Sequence, residues 1–361
     1  MPLTGRERTA RILRRQPVDR IGVYEHFWSD TQRKWEADGF LAKGESMDDH
    51  FGFDMSGCWC LNFVADLDKK NEVVEETEET VLIRDGNGAL LRRHKLHDST
   101  PEHVDFMVKE RAQWEGLIKP HIKADRRRIG FAQYREAKRR AAEMGRFFFW
   151  SGVNVFELLH PVCGHEGMLV GMSLDPDWIK DMVATYAEAI VSMQETLFDE
   201  EGEPDGVWYY EDLGFKDHPF VSPAMYREIL MPAHKKTIGF AKGRGLPVVM
   251  HSCGMVDRLV PGMIESGIDC LQVIEVKAGM DLLSLYRRYG EVISFMGGID
   301  VRAIYTNDRD IIDRELFAKI PTVMGGNGYV LHSDHSIPAT VDYETFRYYL
   351  RKGMEIGTYG G

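Results

Sequence analysis

Short apolar stretches rich in β-branched and aromatic residues recur along the chain, and amphipathic stretches separate most of them. Eight of the apolar stretches predict strands: Ile21–Glu25, Leu61–Ala65, Phe147–Ser151, Val207–Glu211, Pro247–His251, Cys270–Ile274, Val292–Met296 and Tyr329–His332. From the third strand onward the pattern predicts helices at Asp175–Gln194, Ala224–Lys242, Val256–Glu265, Leu282–Tyr289, Ile311–Lys319 and Tyr343–Glu355. Eight strands that alternate with helices indicate an α/β protein with a (β/α)₈ TIM barrel.

The segment between the second and third predicted strands departs from this alternation. Thr80–Arg84 and Ala89–Lys95 flank the turn sequence Asp85–Gly88, which predicts a β-hairpin, and Arg126–Gly145 predicts a highly charged helix. We therefore predict one barrel domain over residues 1–361 with an insertion at about 70–145. The basic residues of this helix are expected to form a solvated face, with a docking patch for an acidic partner as the alternative.

The composition is typical of a globular protein, since 43% of the residues are hydrophobic and 28% are charged. A formal net charge of −12 has the wrong sign for neutralising phosphates, so nucleic acid is not an expected partner. No apolar run approaches the roughly 20 residues that cross a bilayer, and the N-terminal stretch lacks an apolar signal core. We expect a cytoplasmic protein without a membrane partner. The five cysteines, an odd number in a long chain, predict free thiols.

Candidate chemistry follows the C-terminal ends of the predicted strands, where TIM barrels place their catalytic groups. The polar residues found there are Glu25, His26, Glu211, Asp212, His251, Cys253, Glu275, Asp300, His332, Asp334 and His335. His251 and Cys253 give the clearest signal, because residues two apart in an extended chain point the same way and can bind one metal ion. A buried thiol beside a hydrogen-bonded histidine is the alternative interpretation.

A third metal ligand is expected from the end of the eighth strand, because the fifth and eighth strands surround the same barrel axis. His332, Asp334 and His335 are the candidates there, and the strand geometry alone leaves the choice open. Zinc prefers nitrogen and sulfur donors, and its catalytic sites keep one position open. Glu275 or Glu211 is a candidate for that position until a substrate displaces it.

Other motifs carry weaker signals. The histidines and cysteine of His160–His165 match no known zinc pattern, so this segment predicts a turn and a helix cap, with pocket lining as the alternative. Cys58 and Cys60 lack the second pair that a zinc knuckle needs, and Met324–Gly328 predicts a turn. No serine-nucleophile elbow and no Walker sequence occurs.

Several motifs together resemble the uroporphyrinogen decarboxylase superfamily: Thr4–Arg8, Pro17–Ile21, Ser222–Arg227 with Pro232, Gly245–Gly254 and Gly297–Asp300. The superfamily includes haem-pathway decarboxylases and zinc methyltransferases that act with corrinoid proteins, both on a (β/α)₈ barrel. The decarboxylases resemble one another at an Arg-Gln-Ala-Gly-Arg run after the first strand, which holds the substrate carboxylates. Glu25–Asp30 stands at that place here and contains no arginine. The resemblance is therefore closer to the methyltransferase branch.

This branch implies a zinc-dependent methyltransferase that exchanges a methyl group between a corrinoid protein and a small methylated substrate or thiol, O-demethylation included. It implies zinc bound by His251 and Cys253, with His335 at the place of the family's final cysteine. Glu211, Asp212 and Glu275 are the candidate proton carriers. The candidate substrate-binding residues are His26, Trp28, Asp300 and Asp334.

Two other functions stay open at this stage. One is a porphyrinogen-type decarboxylase that uses Asp66 or Asp212 and no metal, and the other is a non-catalytic protein that binds a corrinoid or tetrapyrrole. The methyl donor and acceptor are open, as is the oligomeric state, for which a homodimer is one candidate.

Overall fold

Eight parallel strands form a curled sheet in the computed structural model, which describes residues 2–96 and 101–360. The described residues contain these eight strands and four more in a separate sheet, in chain order β1 (Gly22–Val23), β2 (Met55–Trp59), β3 (Glu72–Glu76), β4 (Thr80–Arg84), β5 (Leu90–His94), β6 (Glu102–Asp105), β7 (Phe147–Val153), β8 (Gly206–Tyr210), β9 (Val248–Ser252), β10 (Cys270–Val273), β11 (Ser294–Gly297) and β12 (Tyr329–Leu331). The parallel neighbours follow the order β1-β12-β11-β10-β9-β8-β7-β2. The N–H of Asp54, just before β2, donates to the carbonyl of Val23 over 3.0 Å, so the two outer strands of this order meet. The predicted TIM barrel is confirmed.

Helices connect the barrel strands, as the alternating pattern predicts. They are α1 (Gly5–Ile12), α2 (Ser29–Ala37), α3 (Met47–Phe51), α4 (Arg111–Gln113), α5 (Phe131–Glu143), α6 (His160–Leu174), α7 (Pro176–Glu201), α8 (Pro223–Met225), α9 (Met231–Gly243), α10 (Val260–Ser266), α11 (Leu282–Tyr289), α12 (Val301–Ile304), α13 (Arg309–Val323) and α14 (Tyr343–Ile356). α11 has its predicted bounds, whereas α7 continues to Glu201 and α10 begins only at Val260. The described residues contain no helix long and apolar enough to span a membrane.

The second barrel strand was predicted at Leu61–Ala65, and that prediction is wrong. Met55–Trp59 forms β2 and pairs in parallel with Phe147–Ser151. Gly57 leaves room for the ring of Phe149, which would lie 2.4 Å from an added Cβ atom. Leu61–Ala65 is instead a loop, in which the side chain of Asn62 accepts the N–H of Val64 and so forms a local turn. The other seven barrel strands lie within two residues of their predicted bounds.

The predicted hairpin is confirmed and belongs to a larger inserted sheet. Strands β3, β4, β5 and β6 form an antiparallel sheet in that order. The strand Glu72–Glu76 is exposed throughout, so it lacks the apolar alternation that would have predicted it. The charged helix was predicted over Arg126–Gly145, but α5 spans only Phe131–Glu143. It begins late because the carboxylate of Asp125 caps a separate short turn at Arg126–Arg128.

The basic residues around α5 are paired with acids of the same chain. Arg126 pairs with Glu200, and Arg135 pairs with Glu201 over 2.5 Å. The ion pairs neutralise much of the charge that sequence alone shows, which favours the solvated-face interpretation over a docking patch.

Aromatic side chains fill the barrel below its C-terminal end. The ring of Tyr24, just after β1, contacts Phe149 of β7 and Trp208 of β8, with centroid distances of 5.6 and 5.7 Å. β1 and β8 are not neighbours in the sheet, so these contacts cross the barrel interior. The rings fill the interior beneath the loops, and the C-terminal end of the barrel above them is here called the barrel mouth.

Candidate metal centre at the barrel mouth

Three neighbouring strands, β8, β9 and β10, bring the central polar residues of the mouth together. Parallel pairing places Tyr210 and Gln272 opposite His251, one on each side. Asp212 and Cys253 each follow two residues after Tyr210 and His251, where the strands end. The register therefore carries these side chains to one level of the mouth.

The side chains of Asp212, His251 and Cys253 form a compact group whose ligand atoms all lie within 4.8 Å of one another. Cys253 Sγ lies 3.4 Å from His251 Nε2, and His251 Nε2 lies 3.2 Å from Asp212 Oδ1. The N–H of Cys253 donates to the same Asp212 oxygen over 2.7 Å, which fixes the end of β9 against the end of β8. This arrangement presents one nitrogen, one sulfur and one oxygen donor to a common point.

The spacing of the three donors fits zinc. Bond lengths of about 2.0–2.3 Å and a tetrahedral angle place zinc ligand atoms roughly 3.3–3.6 Å apart. The Sγ–Nε2 and Nε2–Oδ1 distances of 3.4 and 3.2 Å are close to that range. The side chain of Asp212 is 41% exposed, so the group is open toward the mouth. Three protein donors and an open side are the composition of a catalytic zinc site.

Gln272 sets the orientation of the His251 ring. Nδ1 of His251 donates to the side-chain carbonyl of Gln272, which fixes the ring with Nε2 facing Cys253 and Asp212. The Gln272 amide group in turn donates to His332 Nε2 over 3.3 Å. A ligand histidine held by its other ring nitrogen is the usual support of a protein metal site.

A chain of buried hydrogen bonds continues from the mouth into the barrel. The Tyr210 hydroxyl lies 3.1 Å from His26 Nε2, and His26 Nδ1 lies 3.0 Å from His332 Nε2. His332 Nδ1 donates to the carbonyl of Ser333 over 2.5 Å and lies 3.2 Å from Glu25. His26, expected to bind substrate, thus lies in the middle of a buried polar chain and reaches the mouth through Tyr210.

Burial controls the ionisation of this chain. It raises the pKa of Glu25 to about 8, although the N–H groups of Ser333 and His26 act against it. It lowers the pKa of His332 to about 3 and that of His26 well below its ordinary value. Both rings are therefore neutral at pH 7, and Glu25 is largely protonated.

Burial disfavours charge on each of the three donor groups, and their neighbours then decide the outcome. Burial alone lowers the pKa of His251, but Cys253 and Asp212 outweigh it and raise this pKa well above its ordinary value. Burial raises the pKa of Cys253. It also raises that of Asp212, but the facing His251 outweighs it and the net shift is downward. The protonated form of His251 is thus stabilised beside the Asp212 carboxylate.

Glu211 lies beneath the mouth and is fully buried. His234 Nε2 lies 2.5 Å from its Oε1, and the N–H groups of Phe156 and Glu157 donate to its two oxygens over 2.9 and 3.2 Å. Both oxygens are therefore used to hold the loop after β7 against α9. The structure does not bring Glu211, predicted as a proton carrier, to the metal donors.

The other predicted carboxylates also hold loop N–H groups. Asp334 accepts from Val301 and Val276, each over 2.8 Å, and burial raises its pKa to about 6. Asp300 caps α12 and binds the guanidinium of Arg302. Glu275 accepts the N–H of Gly254 over 2.7 Å, next to Cys253. These three side chains position the ends of β9, β10, β11 and β12 around the mouth.

His335, the expected third metal ligand, lies outside the compact donor group found among the described residues. Its ring contacts Trp28, with centroids 5.8 Å apart. Burial lowers its pKa, the charges of Lys277 and His251 lower it further, and the charge of Glu275 acts in the opposite direction. The structure thus pairs two predicted residues, His335 and Trp28, as part of the mouth wall, and Asp212 is the ligand-type side chain that it groups with His251 and Cys253.

An aromatic wall adjoins the donor group. The Tyr210 ring lies 4.9 Å from the His251 ring and 5.4 Å from the ring of Trp59. Trp59, at the end of β2, is 47% exposed. A solvent-exposed tryptophan above a buried polar centre offers an apolar surface for a small substrate.

A second group of ligand-type side chains involves the segment His160–His165. His160 and His165 stack with centroids 4.3 Å apart, and His103 of β6 lies within 6.2 Å of both rings. The ligand atoms of these three histidines lie within 4.8 Å of one another. Sequence reasoning could not find this group, because His103 lies on an inserted strand far away in the chain.

Gln272 and Tyr210 were also missed as site residues. Gln272 lies inside β10, and Tyr210, the last residue of β8, lies inside the predicted strand Val207–Glu211, so a search of predicted strand ends passed over both. The available signal was Gln272 itself, a polar residue in the middle of the apolar stretch Cys270–Ile274. A buried polar residue in a central strand needs a partner, and register supplies His251.

The fold and the site define a TIM-barrel protein with a candidate metal centre at its mouth. The chain belongs to the uroporphyrinogen decarboxylase (URO-D) family, whose family model matches residues 156–352, more than half of this chain. Over 89 residues it is 33% identical to the methylated-thiol–coenzyme M methyltransferase of Methanosarcina mazei; that alignment covers 24% of this chain and 22% of that relative. The chain thus matches about a fifth of the curated relative's length.

A solved structure shows the same fold over the whole chain. A methyltransferase from Methanosarcina mazei superimposes with a TM-score of 0.70 at 16% identity, covering 98% of this chain and 99% of that one. Both named relatives are methyltransferases. The expected superfamily and its methyltransferase branch are confirmed.

Proposed function

We propose that this protein is a zinc-dependent methyltransferase that moves a methyl group between a corrinoid carried by a partner protein and a small thiol or methylated substrate. The observation that carries the proposal is the nitrogen, sulfur and oxygen donor group of His251, Cys253 and Asp212 at zinc spacing. The methyltransferase relatives support the reaction class.

The donor set derives from the fold as follows. His251 Nε2 and Cys253 Sγ are the two expected ligands, and Asp212 Oδ1 takes the third position that sequence reasoning gave to His335. When bound there, zinc supplies Lewis acidity, which favours the thiolate form of a thiol and polarises a methoxy oxygen. Gln272 keeps His251 in the tautomer that presents Nε2.

The chain's own residues bind the substrate and handle its proton. Trp59 and Tyr210 form the apolar side of the site next to His251, and Trp28 with His335 forms another part of the mouth wall. Asp212 Oδ1 faces His251 and Cys253, and its partly exposed carboxylate accepts the proton of an incoming thiol through Oδ2. A methyl-corrinoid carried by a partner protein would supply the methyl group, and the thiolate sulfur held beside Asp212, Trp59 and Tyr210 would accept it.

A thiol is the favoured substrate class. The matched relative is named for a methylated thiol, and the site combines a donor group suited to a soft cation with a small aromatic wall. No guanidinium stands at Glu25–Asp30 to hold a polycarboxylate, which disfavours a porphyrinogen substrate.

Zinc analysis and a methyl-transfer assay test the proposal together. Methylcobalamin serves as the methyl donor and a panel of small alkyl thiols as acceptors, and the visible spectrum reports loss of the methyl group from cobalt. We expect transfer by the wild type, and loss of one zinc per chain together with activity in His251→Ala and Cys253→Ala. Cys270→Ala is the matched control, because Cys270 is a buried thiol within β10.

Two results would contradict the proposal. One is folded wild-type protein that has no zinc to lose at His251 and Cys253. The other is zinc-loaded protein that transfers no methyl group in either direction but releases carbon dioxide from uroporphyrinogen, which would establish the decarboxylase alternative.

A further inference from the structure

Three histidines meet where the inserted sheet touches the barrel. His103 belongs to β6 of that sheet, whereas His160 and His165 lie at the start of α6, after barrel strand β7. The rings of His160 and His165 stack with an interplanar angle of 14°, and His103 lies 5.7 Å from the His160 ring. One ligand nitrogen from each residue falls within 4.8 Å of the other two.

The backbone conformation of Gly164 allows the three histidines to lie close together. Gly164 has φ 71° and ψ 159°, a region that only glycine occupies readily. A Cβ atom there would lie 2.6 Å from the ring of Phe106, which follows β6. The sheet can therefore approach the start of α6 only because residue 164 is a glycine, and the approach sets His103 beside the other two histidines.

His160 carries a buried atom that calls for a ligand. Its Nε2 lies 3.3 Å from Glu157 Oε2, while its Nδ1 is buried and has no hydrogen-bond partner among the described residues. Buried ring nitrogens are ordinarily paired, and a metal ion accepts the lone pair of a neutral imidazole.

The donor chemistry and access select the cation. Three imidazole nitrogens suit zinc, copper or nickel, whereas calcium and magnesium prefer oxygen. His165 is exposed, and a pocket of about 560 Å³ lined by His103, Phe106, Lys109, Cys163, Gly164 and His165 opens beside the group. An ion can thus enter from solvent.

We propose that His103, His160 and His165 form a second transition-metal site, separate from the centre at His251 and Cys253, which ties the inserted sheet to the barrel. The site is independent of the proposed methyl transfer, because none of its residues belongs to the donor group of the mouth. Its occupant is a divalent cation of the zinc type.

Cobalt and zinc titrations of a mouth-site variant test this. His251→Ala/Cys253→Ala removes two donors of the first centre, so any remaining tight zinc must bind elsewhere. We expect this variant to bind one further zinc, and adding His165→Ala to abolish that binding. Cobalt at an all-nitrogen site should show visible bands without the near-ultraviolet thiolate band that Cys253 contributes in the wild type. His218→Ala, which alters an exposed histidine away from the group, is the matched control.

A second experiment tests whether the metal links the inserted sheet to the barrel. Hydrogen exchange of β3–β6 in the mouth-site variant should slow at least several-fold on zinc addition, and His165→Ala should remove the effect. His103→Ala should behave likewise. A mouth-site variant that binds no zinc, or whose zinc survives both His165→Ala and His103→Ala, would overturn the site. Zinc binding with unchanged exchange of the sheet would overturn the tie.

Discussion

Asp212 and His335 are the two candidates for the third metal ligand, and their contacts favour Asp212. Asp212 Oδ1 lies 3.2 Å from His251 Nε2 and accepts the N–H of Cys253, so its carboxylate is already held in the donor group. The His335 ring is held instead against Trp28. A ligand atom must lie about 2 Å from the metal. Among the described residues, Asp212 and not His335 is grouped closely enough with His251 and Cys253 to share one ion with them.

We therefore predict that Asp212→Asn weakens zinc binding more than His335→Ala does. An amide oxygen is neutral and a poorer zinc donor than a carboxylate, so the loss should exceed the roughly tenfold minimum seen when only an outer partner of a ligand is changed. Competition with a chromogenic chelator measures both affinities. The opposite order, with zinc retained in Asp212→Asn and lost in His335→Ala, would return the ligand role to His335.

Gln272 offers a test of how the metal centre is supported. Gln272→Leu removes the acceptor of His251 Nδ1–H and should lower zinc affinity about 10–100-fold. Gln272→Glu keeps an acceptor and should retain most of the affinity. Gln194→Leu is the matched control, since Gln194 is equally buried but bonds Tyr209 away from the mouth. Equal affinities in Gln272→Leu and wild type would show that the ring needs no such support.

At the residue scale, metal donors that are close together in the sequence can be predicted from it, whereas donors that are close only in the folded structure cannot. His251 and Cys253 are two apart on one strand, so their common direction follows from strand geometry. Asp212 joins them only through the pairing of β8 with β9. Glu211 and Asp334 are equally acidic and equally near strand ends, but the fold uses their oxygens to bind backbone N–H groups, which no sequence pattern distinguishes from catalysis.

At the element scale, Gly164 links the inserted sheet to the barrel. Its φ and ψ of 71° and 159° lie in a region that costs a non-glycine residue about 1–3 kcal/mol, and Phe106 blocks the space for a side chain. Gly164→Ala should therefore lower the free energy of unfolding by about that amount and speed hydrogen exchange in β3–β6 first.

A second glycine provides the comparison for this prediction. Gly239 lies inside α9 with no atom within 4 Å of an added Cβ, so Gly239→Ala should be neutral or stabilising by up to about 1 kcal/mol. Chemical denaturation and exchange mass spectrometry measure both variants. Uniform loss of protection across the barrel in Gly164→Ala would contradict a local role for this contact.

The elements that sequence predicted poorly have physical reasons in common. β2 contains Ser56 and Gly57, which are weak strand formers, and it is held by its parallel pairing with β7, where the Phe149 ring occupies the space beside Gly57. β3 is rich in glutamate and exposed on both faces. Each owes its conformation to a neighbouring strand, whereas β9, β10 and β11 are buried throughout or nearly so and carry their own apolar signal.

At the scale of the whole molecule, an ion cluster joins the chain where the barrel closes. Asp54 accepts from Arg8 and Arg20, each over 2.7 Å, and from the N–H of Val23 over 2.9 Å. The cluster connects α1, the segment that enters β1, β1 itself through Val23, and Asp54 immediately before β2. Loss of any one partner would leave the buried charge of Asp54 poorly compensated, which is costly. The ion cluster therefore holds β1 and β2 together where the barrel closes.

The buried chain of Glu25, His332 and His26 makes the stability of the whole fold depend on pH in two windows. Glu25 has a pKa of about 8 when folded, against an ordinary value of 4.5. The folded state therefore holds a proton that the unfolded state has lost, and the free energy of unfolding falls as the pH rises between these values. His332 has a pKa lowered from 6.5 to about 3. Its contribution is present above pH 6.5 and is lost as the pH falls toward 3.

The contribution of His332 to stability is constant above pH 6.5. Of these two groups, only Glu25 therefore changes the free energy of unfolding between pH 6.5 and pH 8. We predict that Glu25→Gln, which cannot ionise, flattens the fall in unfolding free energy between pH 6.5 and pH 8 relative to wild type. Urea denaturation at closely spaced pH values measures the slope, so an overall cost of replacing a buried hydrogen-bonded acid does not affect the comparison. Glu275→Gln, at a carboxylate also near the mouth but bonded to Gly254, serves as the control. Parallel slopes in Glu25→Gln and wild type would mean that Glu25 enters the fold already ionised, with its charge held by Ser333 and His332.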